Sequence, residues 1–168
     1  VTSEAYALEI TPGGLQQALA SEAATIVDLT LTGKGDARDL QYISTLPALR
    51  TLDMSGLQIV ETKSDKAIHL SRHHFPANTL PAYIFSLSKL EKVVMPSTLT
   101  KIEEGAFASS NLNTVTFGAS VKTIGSWAFY KTKLSSVVLP ASTDSMGTGV
   151  FADCANLSNA GLSATQVT

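Results

Sequence analysis

A 22-residue period in the second half of the chain constrains the fold more than any other feature. Three segments share one pattern, and their first leucines, Leu90, Leu112 and Leu134, are spaced 22 residues apart. The register holds to the end of each unit, where the aligned pairs are Ala106-Phe107, Ala128-Phe129 and Val150-Phe151. A fixed period of this length indicates a repeat architecture in which successive units stack.

Weaker copies of the pattern continue upstream. Residues 49–54 (LRTLDM) repeat the opening half of the unit, and residues 80–85 (LPAYIF) repeat its second half. An insertion of roughly residues 56–78 separates these two halves. Residues 26–31 (IVDLTL) lie 23 residues before 49–54, so we interpret them as the first strand of the stack.

A single unit of this kind cannot fold alone. It offers about six core side chains, and full burial of each large one contributes roughly 1.5–3 kcal/mol. Ordering the backbone costs about 1–2 kcal/mol per residue, so contacts with neighbouring units must supply the remainder. We therefore predict an α/β repeat solenoid: a leucine-rich-repeat right-handed superhelix with short strands, turns and short helical segments, capped by an N-terminal helix.

The two ends depart from the repeat. Residues 1–25 are predicted to cap the stack, with Thr11 as N-cap and Pro12 opening a helix that has Leu15, Ala18 and Leu19 on one face. A turn at residues 33–36 should lead into a second helix at about residues 37–45, with Asp36 as its N-cap. Residues 26–156 would hold the repeats and residues 157–168 a partial last repeat or cap, all within one domain of residues 1–168.

The repeat unit of this sequence resembles that of a known family. The unit L-x-x-V-x-L-P-x-S-L-x-x-I-x-x-x-A-F is similar to that of BspA-like leucine-rich repeat proteins, which occur mainly on bacterial surfaces. Residues 29–56 also look like the opening unit of gut-bacterial members. The resemblance implies an extracellular or surface-anchored protein whose signal segment has been removed, with a role in adhesion and no catalytic motif to carry over.

The composition of the chain limits the classes of partner that we expect. The net charge is −2 and charged residues make up 15% of the chain, without a basic stripe. This gives no electrostatic reason to expect nucleic acid. No segment approaches the roughly 20 apolar residues of a membrane span, so direct membrane insertion is not expected. Cys154 is the single cysteine, which rules out an intrachain disulfide. No cofactor is predicted.

The outward side chains of the strands are the predicted binding surface, because stacking places them in rows along one face. These candidates are Arg50, Thr51, Asp53, Glu91, Lys92, Asn113, Thr114, Thr116, Ser135 and Ser136. The set is polar and mixed in charge, which favours hydrogen bonding to a protein or a glycan over electrostatic capture, and we expect a protein partner. Glycan recognition is the alternative, and it would require exposed, clustered aromatic rings. Trp127 and Tyr130 flank Ala128-Phe129 and are expected at least partly on the surface.

A third hypothesis comes from the histidines of the insertion, His69, His73 and His74. On a helix His69 and His73 would share a face and could form a metal pair, as in a metal-dependent hydrolase. The segment has no H-E-x-x-H arrangement, so an exposed polar loop is the ordinary interpretation. A structural spacer without a ligand is the remaining possibility.

Overall fold

The computed structural model describes residues 5–158, whose buried side chains form one continuous core from Ile10 to Phe151. A five-stranded parallel sheet has the order β1-β2-β3-β7-β9. Its strands are β1 Ala5–Ile10, β2 Asp28–Gly35, β3 Thr51–Ile59, β7 Lys92–Val94 and β9 Thr114–Thr116. A four-stranded parallel sheet, β11-β10-β8-β6, runs beside it. Its strands are β6 Thr79–Leu80, β8 Lys101–Ile102, β10 Thr123–Ile124 and β11 Ser145–Met146.

The repeat register predicted from the sequence is confirmed. Ile102 pairs with Ile124, and Ile124 pairs with Met146, so equivalent positions of successive units lie side by side. The first sheet shows the same register, with Val93 beside Val115. The protein therefore has a leucine-rich-repeat fold built on parallel strands, whereas the right-handed superhelical sense stays a prediction.

A column of stacked phenylalanines fills the interior. Phe85, Phe107, Phe129 and Phe151 are at most 1% exposed. Successive ring centroids are 5.4, 5.4 and 5.5 Å apart. Ala106 and Phe107 lie in a turn that the Ala108 N–H closes by donating to the Gly105 carbonyl at 3.0 Å. Gly105 and Ser109 have φ of +63° and +60°, so the turn does not continue as a helix. The Phe107 N–H instead donates to the carbonyl of Ala128 in the next unit, at 2.7 Å.

The N-terminal segment adds β1 as a parallel edge strand beside β2. Helix α1, Leu15–Leu19, follows, and a 3-10 helix spans Ala20–Ala24. The predicted inward face is confirmed for Leu15 and Leu19, which are buried, but not for Ala18, which is exposed. The predicted start of the helix is also wrong. Gly14 is the N-cap and offers no side chain. The carboxylate of Asp39 accepts from the backbone N–H of Gly13 and Leu15 instead. The role of this segment as a solenoid cap stays a prediction.

The second helix, α2, spans Ala37–Ile43 and begins as predicted at Asp36. Asp36 accepts from the Arg38 N–H, while Asp39 accepts from the Asp36 N–H, so the two carboxylates form a capping box. The turn predicted at residues 33–36 is wrong. Strand β2 continues to Gly35 because β3 runs on to Ile59 and gives it a partner.

The insertion is shorter and more ordered than predicted. Leu57 and Ile59 belong to β3 and are buried. Beyond them, β4 Thr62–Lys63 and β5 His74–Phe75 pair as an antiparallel hairpin. The helix that a His69–His73 metal pair would require does not form: the two residues lie in a bent strand–turn–strand segment.

The unit that begins at Leu134 follows the strand pattern of the repeat least closely. Residues 135–138 are not in a strand, and Val138 is 85% exposed. The inward positions are only partly covered here, since Val137 and Leu139 are half-buried. Without full burial at these two positions, little holds the segment against β9. Residues 159–168, part of the predicted last repeat or cap, lie outside the described residues.

Candidate functional site

Eight of the ten predicted binding residues lie together on the outer surface of the five-stranded sheet. We call this group the strand face: Arg50, Thr51, Asp53, Glu91, Lys92, Asn113, Thr114 and Thr116. Thr51 pairs with Lys92 and Lys92 with Thr114, which makes one straight row. Asp53 and Thr116 belong to a second row through Val94.

A third row precedes these two. The Glu91 N–H donates to the Arg50 carbonyl at 2.7 Å, and the Asn113 N–H donates to the Glu91 carbonyl at 2.8 Å. Parallel strands lie about 4.8 Å apart, so each row repeats its side chains at that spacing. The intervening side chains, Leu52 and Val93, are buried and fix the outward direction of their neighbours.

The strand face carries both signs of charge. Arg50 Nε lies 3.8 Å from Glu91 Oε2 across neighbouring strands. Thr114 Oγ1 donates to Oδ1 of the preceding residue, Asn113, at 2.8 Å. Lys92 is exposed between the two threonines of its row. The arrangement offers donors and acceptors at a regular spacing, with little net charge.

Ser135 and Ser136 do not share this geometry. Both are exposed, but they precede an irregular segment rather than lying in a strand. The Lys133 N–H donates to the Leu112 carbonyl, whereas the aligned N–H of Asn111 donates to the Ser88 carbonyl, two positions earlier in the repeat. The strand predicted here is therefore wrong, although the Ser158 N–H donates to the Ser135 carbonyl at 3.3 Å, as the Asn113 N–H does to that of Glu91.

A second candidate surface was only partly visible in the sequence. Tyr83, Ala108, Trp127 and Tyr130 line an open pocket of about 360 Å³, which we call the aromatic cleft. Tyr83 is 38% exposed and Trp127 36% exposed. The Trp127 and Tyr130 rings meet edge to face at 5.5 Å between centroids. The expected surface position of the latter two is confirmed. Tyr83 was missed, although it precedes Trp127 by 44 residues, twice the repeat.

The aromatic cleft depends on glycine. Tyr83, Gly105, Trp127 and Gly149 occupy one column of the stack, all with φ between +56° and +63°. A Cβ on Gly105 would come within 2.2 Å of the Tyr83 ring, and a Cβ on Gly149 equally close to the Trp127 ring. Each ring therefore lies over the glycine of the next unit.

Charged groups flank the cleft at opposite ends. Burial, together with the neighbouring Glu104 carboxylate, raises the pKa of the Tyr83 hydroxyl. At the other end, Lys131 Nζ lies 5.4 Å from the centre of the Tyr130 ring. The cleft is thus acidic beside Tyr83 and basic beside Tyr130.

The histidines of the insertion do not converge. His69 Nε2 lies 2.8 Å from the carbonyl oxygen of Ala82. His73 Nδ1 lies 3.1 Å from that of Ser64, and His74 Nε2 lies 2.8 Å from Glu61 Oε2. Within residues 5–158 there is no group of three or more His, Cys, Asp or Glu side chains placed to hold a metal ion.

The hairpin instead packs against the repeats. Arg72 Nη1 lies 2.8 Å from Glu103 Oε1, and the Arg72 guanidinium sits 4.6 Å from the centre of the Phe75 ring. Through His69 and Arg72 the hairpin contacts residues adjacent to Tyr83 and Glu104. It is therefore anchored to the residues that directly precede Tyr83 and Glu104.

Comparison with known proteins identifies the class. Residues 78–168 match the family model of the BspA type leucine rich repeat region, in six copies. Because this match covers more than half of the sequence, the chain belongs to the BspA-type leucine-rich repeat family, as its repeat unit indicated. The comparison with curated proteins gave no match.

One solved structure illustrates the likeness. A leucine-rich cell surface protein from Faecalibacterium prausnitzii A2-165 is 18% identical, with a TM-score of 0.42. The alignment covers 90% of this chain and 37% of that protein, so the chain spans well under half of its length. Among residues 5–158, no helix is both long enough and apolar enough to cross a membrane.

Proposed function

We propose that the protein is a non-catalytic binding module of a secreted or surface-anchored bacterial protein, and that the strand face binds a protein partner. One observation supports this proposal: three rows of mostly polar side chains stand in register on the parallel sheet. Family membership supports the surface location, because the resemblance is to proteins found mainly on bacterial surfaces. Residues 1–168 would act as one domain, with residues 1–25 covering its first repeat.

The composition of the strand face favours protein over other ligands. Arg50 and Glu91 already face each other, so the surface has little net charge to attract a polyanion. It holds no aromatic ring on which a sugar could stack. Hydroxyl, amide and charged groups at about 4.8 Å spacing can hydrogen-bond to a polypeptide surface. We expect affinity to depend only weakly on salt.

The test is a binding screen of the purified protein against immobilised extracellular-matrix proteins, bacterial surface proteins and a glycan array, at two salt concentrations. The variant combines Asn113→Ala, Thr114→Ala and Thr116→Ala. A matched control, Lys101→Ala with Thr123→Ala and Ser145→Ala, alters the strands of the other sheet. Saturable protein binding lost only in the first variant supports the proposal. Equal binding by both variants would contradict it.

The hydrolase hypothesis has little support from the geometry. Its three histidines contact three separate partners in the hairpin and the adjoining turn. Zinc that is retained after chelation and dialysis, and is lost on His73→Ala, would support the hydrolase hypothesis. We propose no cofactor for the binding function.

A further inference from the structure

We propose that the aromatic cleft is a second binding site, and that its ligand is a proline-rich peptide segment in the polyproline II conformation. The site lies at the turns around Tyr83 and Trp127, apart from the strand face. The proposal therefore goes beyond the function assigned above and does not depend on it.

The spacing of the rings matches this ligand. Tyr83 and Trp127 are two units apart in one column, which corresponds to about 10 Å at the usual separation of parallel strands. A polyproline II helix advances about 3.1 Å per residue and returns to the same face every third residue, after about 9 Å. Two prolines separated by two residues would therefore contact Tyr83 and the Trp127–Tyr130 corner, above Ala108.

The lining also matches the chemistry of such a peptide. Its rings provide apolar faces for proline, while the Tyr130 hydroxyl and the Trp127 Nε1–H can donate to the unpaired carbonyls of polyproline II. The Tyr83 hydroxyl is hydrogen-bonded to the Glu104 carboxylate, so Tyr83 contributes its ring face. A sugar presents hydroxyls in many directions, and each one loses free energy if buried without a partner. The lining residues include neither carboxylate nor amide side chains, so the cleft favours a peptide over a glycan.

The charged groups at the two ends of the cleft favour one orientation of the bound peptide. Glu103 is already paired with Arg72, which leaves Glu104 as the acidic group beside Tyr83. Lys131 stands at the Tyr130 end. A ligand with arginine or lysine next to its Tyr83-contacting proline would meet Glu104, and the reverse orientation would bring that cation towards Lys131.

The cleft is also held in place before binding. The Tyr83 and Trp127 rings each lie against a glycine backbone, and contacts of His69 and Arg72 hold the hairpin in place. A ligand that is itself stiff loses little conformational entropy on entering a rigid site. Both partners would then be preorganised.

Trp127 supplies the measurement, because it is the single tryptophan of the chain. A synthetic peptide with an arginine followed by Pro-x-x-Pro is titrated while tryptophan emission is recorded. We expect a saturable change that an alanine-for-proline peptide does not give. Tyr83→Ala should weaken binding about tenfold or more. Leu87→Ala, an exposed apolar change outside the cleft lining, should leave it unaltered.

Two further variants test the role of charge and control for a folding defect. Glu104→Gln should weaken the arginine-containing peptide several-fold while leaving an arginine-free version unchanged. Tyr83→Phe, which keeps the ring, guards against a folding defect in Tyr83→Ala and should retain most of the binding. An unchanged emission with the peptide, or a saturable change with chitin or β-glucan oligosaccharides instead, would overturn the proposal. The Asn113/Thr114/Thr116 variant should bind the peptide normally, which separates this test from that of the strand face.

Discussion

The rings of Phe107 and Phe129 are 5.4 Å apart between centroids and within 5° of parallel, although 22 residues separate them in sequence. Neither side chain is exposed. The same contact continues to Phe151 on one side and, at a steeper angle, to Phe85 on the other. Each ring thus packs against the units before and after it, so the units depend on one another.

Phe129→Ala should lower the free energy of unfolding by about 3–5 kcal/mol, because it leaves a cavity between two rings. Phe129→Leu should cost less, since it retains most of the volume. Denaturant unfolding followed by circular dichroism measures both. Leu87→Ala is the matched control, since that side chain is 79% exposed. A Phe129→Ala value within about 0.5 kcal/mol of the wild type would show that the column is not core.

Asp39→Ala should release the N-terminal segment. Its carboxylate accepts from the N–H groups of Gly13, Leu15 and Asp36 at 2.8, 3.1 and 2.9 Å. The bonds from Leu15 and Asp36 are buried, and each of these donors left without a partner costs about 1–3 kcal/mol, so we expect a loss of about 2 kcal/mol or more. Hydrogen exchange should quicken over residues 5–24 and leave the phenylalanine column protected. Asp144→Ala, at an exposed position, is the control, and equal exchange in both variants would contradict the role of Asp39.

Gly105→Ala should destabilise the protein in two ways. An alanine at a φ of +63° is strained, by about 1–2 kcal/mol, and its Cβ would overlap the Tyr83 ring. Tyr83→Ala removes the overlap but not the strain. In a double-mutant cycle, the combined loss should therefore be smaller than the sum of the single losses by about 1 kcal/mol or more. Additive losses would mean that the ring does not press on this glycine.

Arg72→Ala should loosen the hairpin. The Arg72–Glu103 pair is short and partly shielded, at 2.8 Å with 34% and 19% of the side chains exposed. We expect faster proteolysis within residues 62–75 and little change in the phenylalanine column. Glu91→Ala breaks the longer Arg50–Glu91 contact of 3.8 Å and should alter stability by less than about 1 kcal/mol. Hairpin cleavage unchanged by Arg72→Ala would show that other contacts hold this segment.

The pKa of Glu61 is lowered from 4.5 by the hydrogen bond with His74 and then by Lys63. A lowered carboxyl pKa means that the contribution to stability is present above the unfolded value and is lost as the pH falls through the folded value. His74→Ala should move this pKa back towards 4.5, as measured by NMR titration of the carboxyl carbon. His73→Ala is the matched control, because His73 contacts Ser64 rather than Glu61. A pKa of Glu61 that stays unchanged in His74→Ala would contradict the assignment.

Local patterns in the sequence were sufficient for the repeat. Alternation within each strand and the 22-residue period together predict which side chains point inward, and therefore most of the strand face. The strand predicted at Ser135 and Ser136 does not form, although its sequence pattern matches the earlier units, because Val137 and Leu139 are only partly buried. The period specifies a position, but burial by neighbours decides whether a strand forms there.

Long-range contacts explain the other differences. The start of α1 depends on Asp39, whose carboxylate comes from 24 residues further along the chain than Leu15. No pattern around Thr11 and Pro12 contains that information. The extension of β3 to Ile59 likewise requires its partner β2. Tyr83 could have been found by carrying the repeat register backwards by two units from Trp127.

The alternation of Tyr83, Gly105, Trp127 and Gly149 also limits how a chain of this kind can change its length by recombination. Gain or loss of two units keeps every ring above a glycine. Loss of residues 84–105, one unit, would place Trp127 directly after Tyr83, where the ring already occupies the space that a Cβ needs. Copies of this part of the gene should therefore be added or removed in steps of 44 codons rather than 22.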